Sequence, residues 1–226
     1  TQHESATGDL KREVIKSIPH ANLSSSNVHL AVIIPFLKCQ VARLTTSLSH
    51  WDRLRPCSRL RQTRTSLIFH YNKYADPVLV TELISVWDKL PHEVADCFDL
   101  VEIWSADLSE HEDTYPLGTC LMFHRTFLHT RKLEITHWLQ YEPDVIPIRK
   151  GWLDKALQLV EDNSDCAIWW QLGSEPAYDS PTDYLKASDG TSDVDLHING
   201  NALYCSSSEE FANYRRSVRI SRPPMG

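Results

Sequence analysis

Glycine is scarce, seven residues in 226, and none falls in a G-x-G-x-x-G or a G-x-x-x-x-G-K-[ST] arrangement. The glycine loops that bring a backbone against a dinucleotide pyrophosphate or a nucleoside triphosphate are therefore absent. Positive charge is also short. There are 23 Lys and Arg against 30 Asp and Glu, a formal charge of −7. That balance excludes general nucleic-acid binding, which needs a basic face to neutralise phosphates, but not one nucleotide held through a metal. No C-x-x-C pair occurs among the six cysteines, and no H-x-x-x-H pair among the eleven histidines. Structural zinc and helical hydrolytic zinc are excluded on spacing. No apolar run reaches the ~18 residues of a membrane span, and Thr1 opens no secretory signal peptide.

What is present describes a globular chain. Hydrophobic content of 42% and charged content of 23% are ordinary values, and 226 residues can bury a full core in one domain. Twelve prolines and seven tryptophans suggest rigid loops and bulky packing. The even cysteine count allows up to three disulfides, while several cysteines sit in apolar runs and also read as small core residues. Asn22-Leu23-Ser24 is an N-x-S sequon. It leans toward a Golgi or other secretory lumen. A cytoplasmic place stays open for a viral protein or a part of a larger enzyme.

Residues 1–27 read as a polar extension around a short helix near 10–18, and residues 28–226 as the domain proper. From Val28 to Phe36 runs a continuous apolar, β-branched segment, the pattern of a strand buried on both faces. Helical spacing follows through Val41, Leu44, Leu48 and Trp51. Strands are predicted at 65–71, 97–104, 137–141, 166–171 and 196–204. Helices are predicted at 77–90, 117–130, 151–161 and after Ser207, where Ser-Ser-Glu-Glu has capping-box character. Regular alternation implies right-handed crossovers and a mainly parallel, mixed sheet covered on both faces, an α/β/α sandwich. Residues 173–195 form a long polar excursion of the kind that serves as a site lid.

Glu142-Pro143-Asp144 lies at the tip of the strand 137–141. Two carboxylates there suit a hard divalent cation, Mn²⁺ or Mg²⁺, and strand ends are where open α/β sheets place ligands. Pro143 lacks an N–H, so the ladder should stop and the chain should turn. The same triplet also serves as a plain solvated turn. His197-Ile198-Asn199-Gly200-Asn201 is the second concentration of polar groups. Strand alternation sends His197, Asn199 and Asn201 to one face, unless Gly200 inserts a bulge. Three such side chains line a cavity or form a hydrogen-bonded turn.

These features resemble the GT-A class of nucleotide-sugar glycosyltransferases. Val32-Ile33-Ile34-Pro35 ends the first predicted strand, and a D/E-x-D motif ends the fourth. The stretch Trp138 to Pro147 with Gly151-Trp152-Leu153 resembles the EPD…P…GWL segment of a group of algal, protist and large-DNA-virus transferases. His197-Ile-Asn-Gly-Asn-Ala-Leu-Tyr204 resembles that group's second motif. The resemblance spans roughly residues 28–216. It implies a hexosyl- or pentosyltransferase that moves sugar from a nucleoside diphosphate, UDP by class frequency, to a glycan or glycoprotein hydroxyl. Asp144 would be the direct metal ligand, with Glu142 acting on the sugar or through water, and His197 a possible further ligand. Pro35 and Asn72 would seat the nucleoside, although Asn72 also suits a turn. His197, Asn199, Asn201 and Trp152 are the candidate sugar and acceptor contacts. Asp195, with Asp193 and Glu175, is a candidate general base for an inverting reaction. Arg125 and Lys73 are possible diphosphate partners. The basic run Arg53, Arg55, Arg59, Arg61 and Arg64 suits an anionic acceptor, a membrane surface or a solvated connection. The alternatives are a sugar-nucleotide nucleotidyltransferase, for which the loop Pro35-Phe-Leu-Lys-Cys39 lacks glycine, and a non-catalytic carbohydrate-binding relic.

Overall fold

The computed structural model describes residues 11–17, 28–58, 63–163, 171–172 and 201–213. The β-branched run after Val28 forms strand β2 (His29–Phe36), and the segment rich in hydroxyl and aromatic residues forms β3 (Arg64–Tyr71). They pair in parallel over their whole lengths, from His29 opposite Arg64 to Phe36 opposite Tyr71. Strand β4 (Leu100–Ser105) flanks β3 in parallel, and β5 (His137–Gln140) flanks β2 in parallel. These four strands make the centre of a seven-stranded sheet of order β1-β4-β3-β2-β5-β7-β6. Antiparallel β1 (Lys11–Ser17) closes one edge, and antiparallel β7 (Leu203–Cys205) with β6 (Gln171–Leu172) the other. The sheet is thus mixed, with a parallel core.

Alternation along each strand assigns the two faces. Leu30, Val32, Ile34 and Phe36 of β2, with Leu67 and Phe69 of β3 and Val101 and Ile103 of β4, face one cluster. It is covered by α1 (Val41–Ser49), α2 (Pro77–Asp88) and α5 (Trp152–Asp162), which bury Leu44, Leu83 and Val160. A short helix, α3 (His92–Ala95), leads into β4. Ala31, Ile33, Ile68, Trp104 and Trp138 face the opposite cluster, under α4 (Leu117–Lys132). Here aromatic rings dominate. Trp138 stacks on Tyr204 at 4.8 Å between centroids, and Phe127 meets Phe211 edge-on at 4.8 Å. The predicted α/β sandwich is therefore the observed one. Among the described residues no helix is long and apolar enough to cross a membrane.

Two expectations are corrected. Residues 11–17 form a strand, not part of a helix, and that strand joins the main sheet. Its side chains are mostly exposed, so it carries little of the apolar periodicity by which a strand is recognised. Its pairing energy comes from β4 and from Arg12, which pairs with the buried Glu102. The strand predicted at 97–104 begins only at Leu100, because Cys97 and Phe98 complete the turn after α3. Cys97 is bonded to Cys57, and Cys205 is disulfide-bonded as well, whereas Cys39 and Cys120 are free. Of the strand predicted at 166–171, residues 166–170 lie outside the described residues.

Candidate active site

Parallel strands β2, β3 and β5 end side by side, and the Glu142-Pro143-Asp144 turn leaves the last of them. Tyr141 still donates its N–H to the Ile33 carbonyl of β2 at 2.9 Å. The ladder then stops, since Pro143 has no N–H, and Val145 N–H closes a turn on the Glu142 carbonyl at 3.0 Å. The Tyr141 phenol fastens this turn from beneath. It donates to the Val145 carbonyl at 2.9 Å and accepts from Trp51 Nε1 at 3.1 Å. Ser47 of α1 adds a bond from Oγ to the same carbonyl. Burial pushes the Tyr141 hydroxyl above its ordinary range, so it remains a neutral donor.

The two carboxylates meet different neighbours. Glu142 is half-buried, and Asn201, at the start of the segment leading into β7, holds it twice. Glu142 N–H donates to Asn201 Oδ1 at 2.8 Å, and Asn201 Nδ2 donates to Glu142 Oε2 at 3.1 Å. Tyr204 lies close by, and burial with the Glu142 charge pushes its hydroxyl up to about 12. Asp144 is exposed and stands 4.0 Å from Arg43 Nη1 of α1. Both border a shallow groove of about 280 Å³ that Ala42, Thr46, Ser47 and Ile146 also line. Arg43 is a residue that the sequence reading missed. Its signal was its place in the first turn of the helix after β2, where side chains reach the strand ends.

Asn72 ends β3 with only 4% of its surface exposed. Its N–H bonds the Phe36 carbonyl at 3.3 Å, its carbonyl accepts Leu108 N–H, and its Nδ2 donates to Asp113 Oδ1 at 2.7 Å. Oδ1 is buried with no partner among the described residues, an acceptor left to be filled. Lys73 lies 3.4 Å from Asp113 and Arg125 lies 3.2 Å from Glu112, so both cations are tied to carboxylates of the loop between β4 and α4. Pro35 is half-buried in β2, opposite His70. Trp152 opens α5, but its ring packs with Trp51 at 5.2 Å and Tyr141 at 5.6 Å. The residue is half-buried, packed against the edge of the core. Of the basic run, Arg55 pairs with Glu93 at 3.2 Å. His197, Asn199, Asp195, Asp193, Glu175, Asn22, Arg59 and Arg61 lie outside the described residues.

No cluster of three His, Cys, Asp or Glu side chains suited to a metal occurs among the described residues. A cation that arrives with a diphosphate does not need one. Mg²⁺ is held by one or two carboxylates together with substrate phosphates, and the hard oxygen donors of Glu142 and Asp144 suit that case.

No protein-family profile and no curated protein sequence matches the chain. Among solved structures it is similar to the apo form of mouse xyloside xylosyltransferase 1, at 11% identity and a TM-score of 0.52. The likeness covers 82% of this chain and 71% of that one. At that identity the likeness establishes the fold alone, a GT-A-like α/β/α sandwich.

Proposed function

We propose that the chain is a metal-dependent glycosyltransferase that moves a hexose or pentose from a nucleoside diphosphate, UDP by class frequency, to a hydroxyl of a glycan or glycoprotein. The observation that carries this reading is the Glu142-Pro143-Asp144 turn. It sits at the carboxyl end of a central parallel strand in a fold shared with a xylosyltransferase. Asp144 and Glu142 would hold Mn²⁺ or Mg²⁺, with His197 as a further candidate. When bound, the cation neutralises charge that develops on the leaving diphosphate.

The chain's own residues do the rest. Asn72 Oδ1, a buried acceptor without a partner among the described residues, takes an N–H or O–H of the base or ribose, with Pro35 at the end of β2 as the second nucleoside contact. Arg43, exposed next to Asp144, exchanges its carboxylate for a diphosphate oxygen as the donor enters. Asp195 is the candidate base toward the acceptor. The Cys57–Cys97 disulfide supports maturation in an oxidising compartment, in keeping with the Asn22 sequon.

Donor identity is tested by thermal shift with nucleoside diphosphates and sugar nucleotides, with and without Mn²⁺. The true donor raises the melting temperature only when metal is present. Asp144→Ala is expected to abolish both that shift and sugar transfer, while the unliganded protein melts where the wild type does. Asp144 is exposed and only weakly paired, so its loss costs the fold little. Full transfer by a folded Asp144→Ala protein overturns the assignment.

A further inference from the structure

Glu142 occupies the place where a strand ladder runs out. Alternation turns the Tyr141 N–H toward β2 and the Gln140 and Glu142 N–H groups toward β7: Gln140 N–H reaches the Ala202 carbonyl at 2.9 Å, whereas Glu142 N–H, two residues on, is taken by a side chain. Extending the β5–β7 register from Leu139 opposite Leu203 sets Asn201 across from Tyr141, one residue short. Its side chain bridges that step and bonds the Glu142 N–H at 2.8 Å. A strand cap needs nothing more than this acceptor. Yet the same carboxamide also donates from Nδ2 to Glu142 Oε2 at 3.1 Å. Among short side chains only asparagine supplies an acceptor and a donor together in this way. Aspartate could not donate when ionised, and serine has a single oxygen for both bonds. The second bond commits one carboxylate oxygen and leaves Oε1 without a bond to any described residue.

We propose that Asn201 is a positioning residue for the Glu142 carboxylate rather than a sugar contact. It fixes the rotamer so that Oε1 is presented to the cation and the donor. This inference rests on the glycosyltransferase reading and deepens it. A carboxylate on a half-buried glutamate otherwise samples several rotamers and loses binding free energy each time a cation must select one. Outer partners that orient metal ligands in this way are worth roughly ten- to a hundredfold in metal affinity. Because the contact joins β5 to β7 across 59 residues, the orientation of the acidic turn is tied to the strand that follows the 173–200 segment.

The test is a double-mutant cycle on Mn²⁺ affinity, read by titration calorimetry on the full chain in the presence of UDP. The set is wild type, Asn201→Ala, Glu142→Ala and the double variant, with thermal melts to confirm folding. Asn201→Ala is expected to weaken Mn²⁺ binding roughly ten- to a hundredfold. In the Glu142→Ala background the same change is expected to add nothing, because its target is gone. If Asn201→Ala does not fold, Asn201→Ser, a smaller neutral change, takes its place in the cycle. Equal losses in both backgrounds overturn the proposal and leave Asn201 as a strand cap. Unchanged Mn²⁺ affinity with a raised acceptor KM also overturns it and returns Asn201 to sugar binding. A wild-type protein that binds no Mn²⁺ with UDP fails differently, since it removes the glycosyltransferase reading itself and this inference with it.

Discussion

His70 shows how much a single buried side chain constrains this molecule. Its ring is wholly buried in β3, with Nδ1 bonded to Thr126 Oγ1 at 2.9 Å, and it packs against Trp104 and His129. Burial, reinforced by His129 and Arg125, pushes its pKa from 6.5 down to about 3. Burial likewise takes His129 and His137 to about 4. All three imidazoles are neutral in the folded chain, while the unfolded chain protonates them near 6.5. Their contribution is therefore fully present above that pH and is lost as pH falls toward 4 and then 3. Each histidine should remove about 1.4 kcal/mol of stability per pH unit within this window. Urea denaturation at neutral pH and at about pH 5 reads the slope, and His70→Phe should lower it by one histidine's share. A slope that His70→Phe leaves unchanged would mean the ring is hydrated and titrates normally.

At the scale of elements, β1 is the least expected part and one of the more consequential. Lys11, Arg12 and Glu13 make a charged edge, which discourages further strands from adding to the sheet. The same strand neutralises Glu102, a carboxylate 1% exposed in β4. Arg12 pairs with it, with Nε 3.2 Å from Oε2, and Trp104 Nε1 donates to it at 2.8 Å. Arg12 is itself exposed, but its removal leaves the buried Glu102 charge with Trp104 Nε1 as its side-chain partner. Arg12→Ala is therefore expected to cost about 3 kcal/mol, and Glu102→Gln in the same chain should recover much of it. The denaturant midpoint of the three proteins decides the matter, and a negligible loss in Arg12→Ala would show Glu102 to be solvated. The acidic turn depends on elements in the same way. Trp51, just after α1, holds Tyr141, and Tyr141 and Ser47 of α1 hold the Val145 carbonyl.

For the whole molecule, the Cys57–Cys97 bond links the segment after α1 to the entrance of β4 across 40 residues. The same segment is laced to α5 through Gly151 N–H to the Arg55 carbonyl and Leu153 N–H to the Pro56 carbonyl. Asp154 also accepts from Ser58 at 2.8 Å from N–H and 2.7 Å from Oγ. The helices that flank the acidic turn are thus joined to each other and to the central sheet. Closing a loop of that length restricts the unfolded chain by about 4 kcal/mol in the chain-entropy account. A Cys57→Ala/Cys97→Ala double variant is expected to lose stability of that order in denaturant unfolding. Reductant alone is a poorer probe, because Cys205 is disulfide-bonded too. An unchanged midpoint in the double variant would show that the cross-link closes a loop already ordered when unfolded.

By itself the sequence determined the alternation of strands and helices, the burial of β2 on both faces, and the placing of Glu142 and Asp144 at a strand end. Each is a local property, written in apolar periodicity or in a proline that stops a ladder. Tertiary structure alone decided that residues 11–17 pair with β4, since their side chains face solvent and only the partner strand and Glu102 recruit them. It also chose Cys97 as the partner of Cys57, packed the half-buried Trp152 against Trp51, and set Asn201 against Glu142. Those outcomes rest on contacts between groups tens of residues apart, whose meeting depends on strand order and register. Neither composition nor spacing carries that information, because the same residues would read identically in a sheet wound another way.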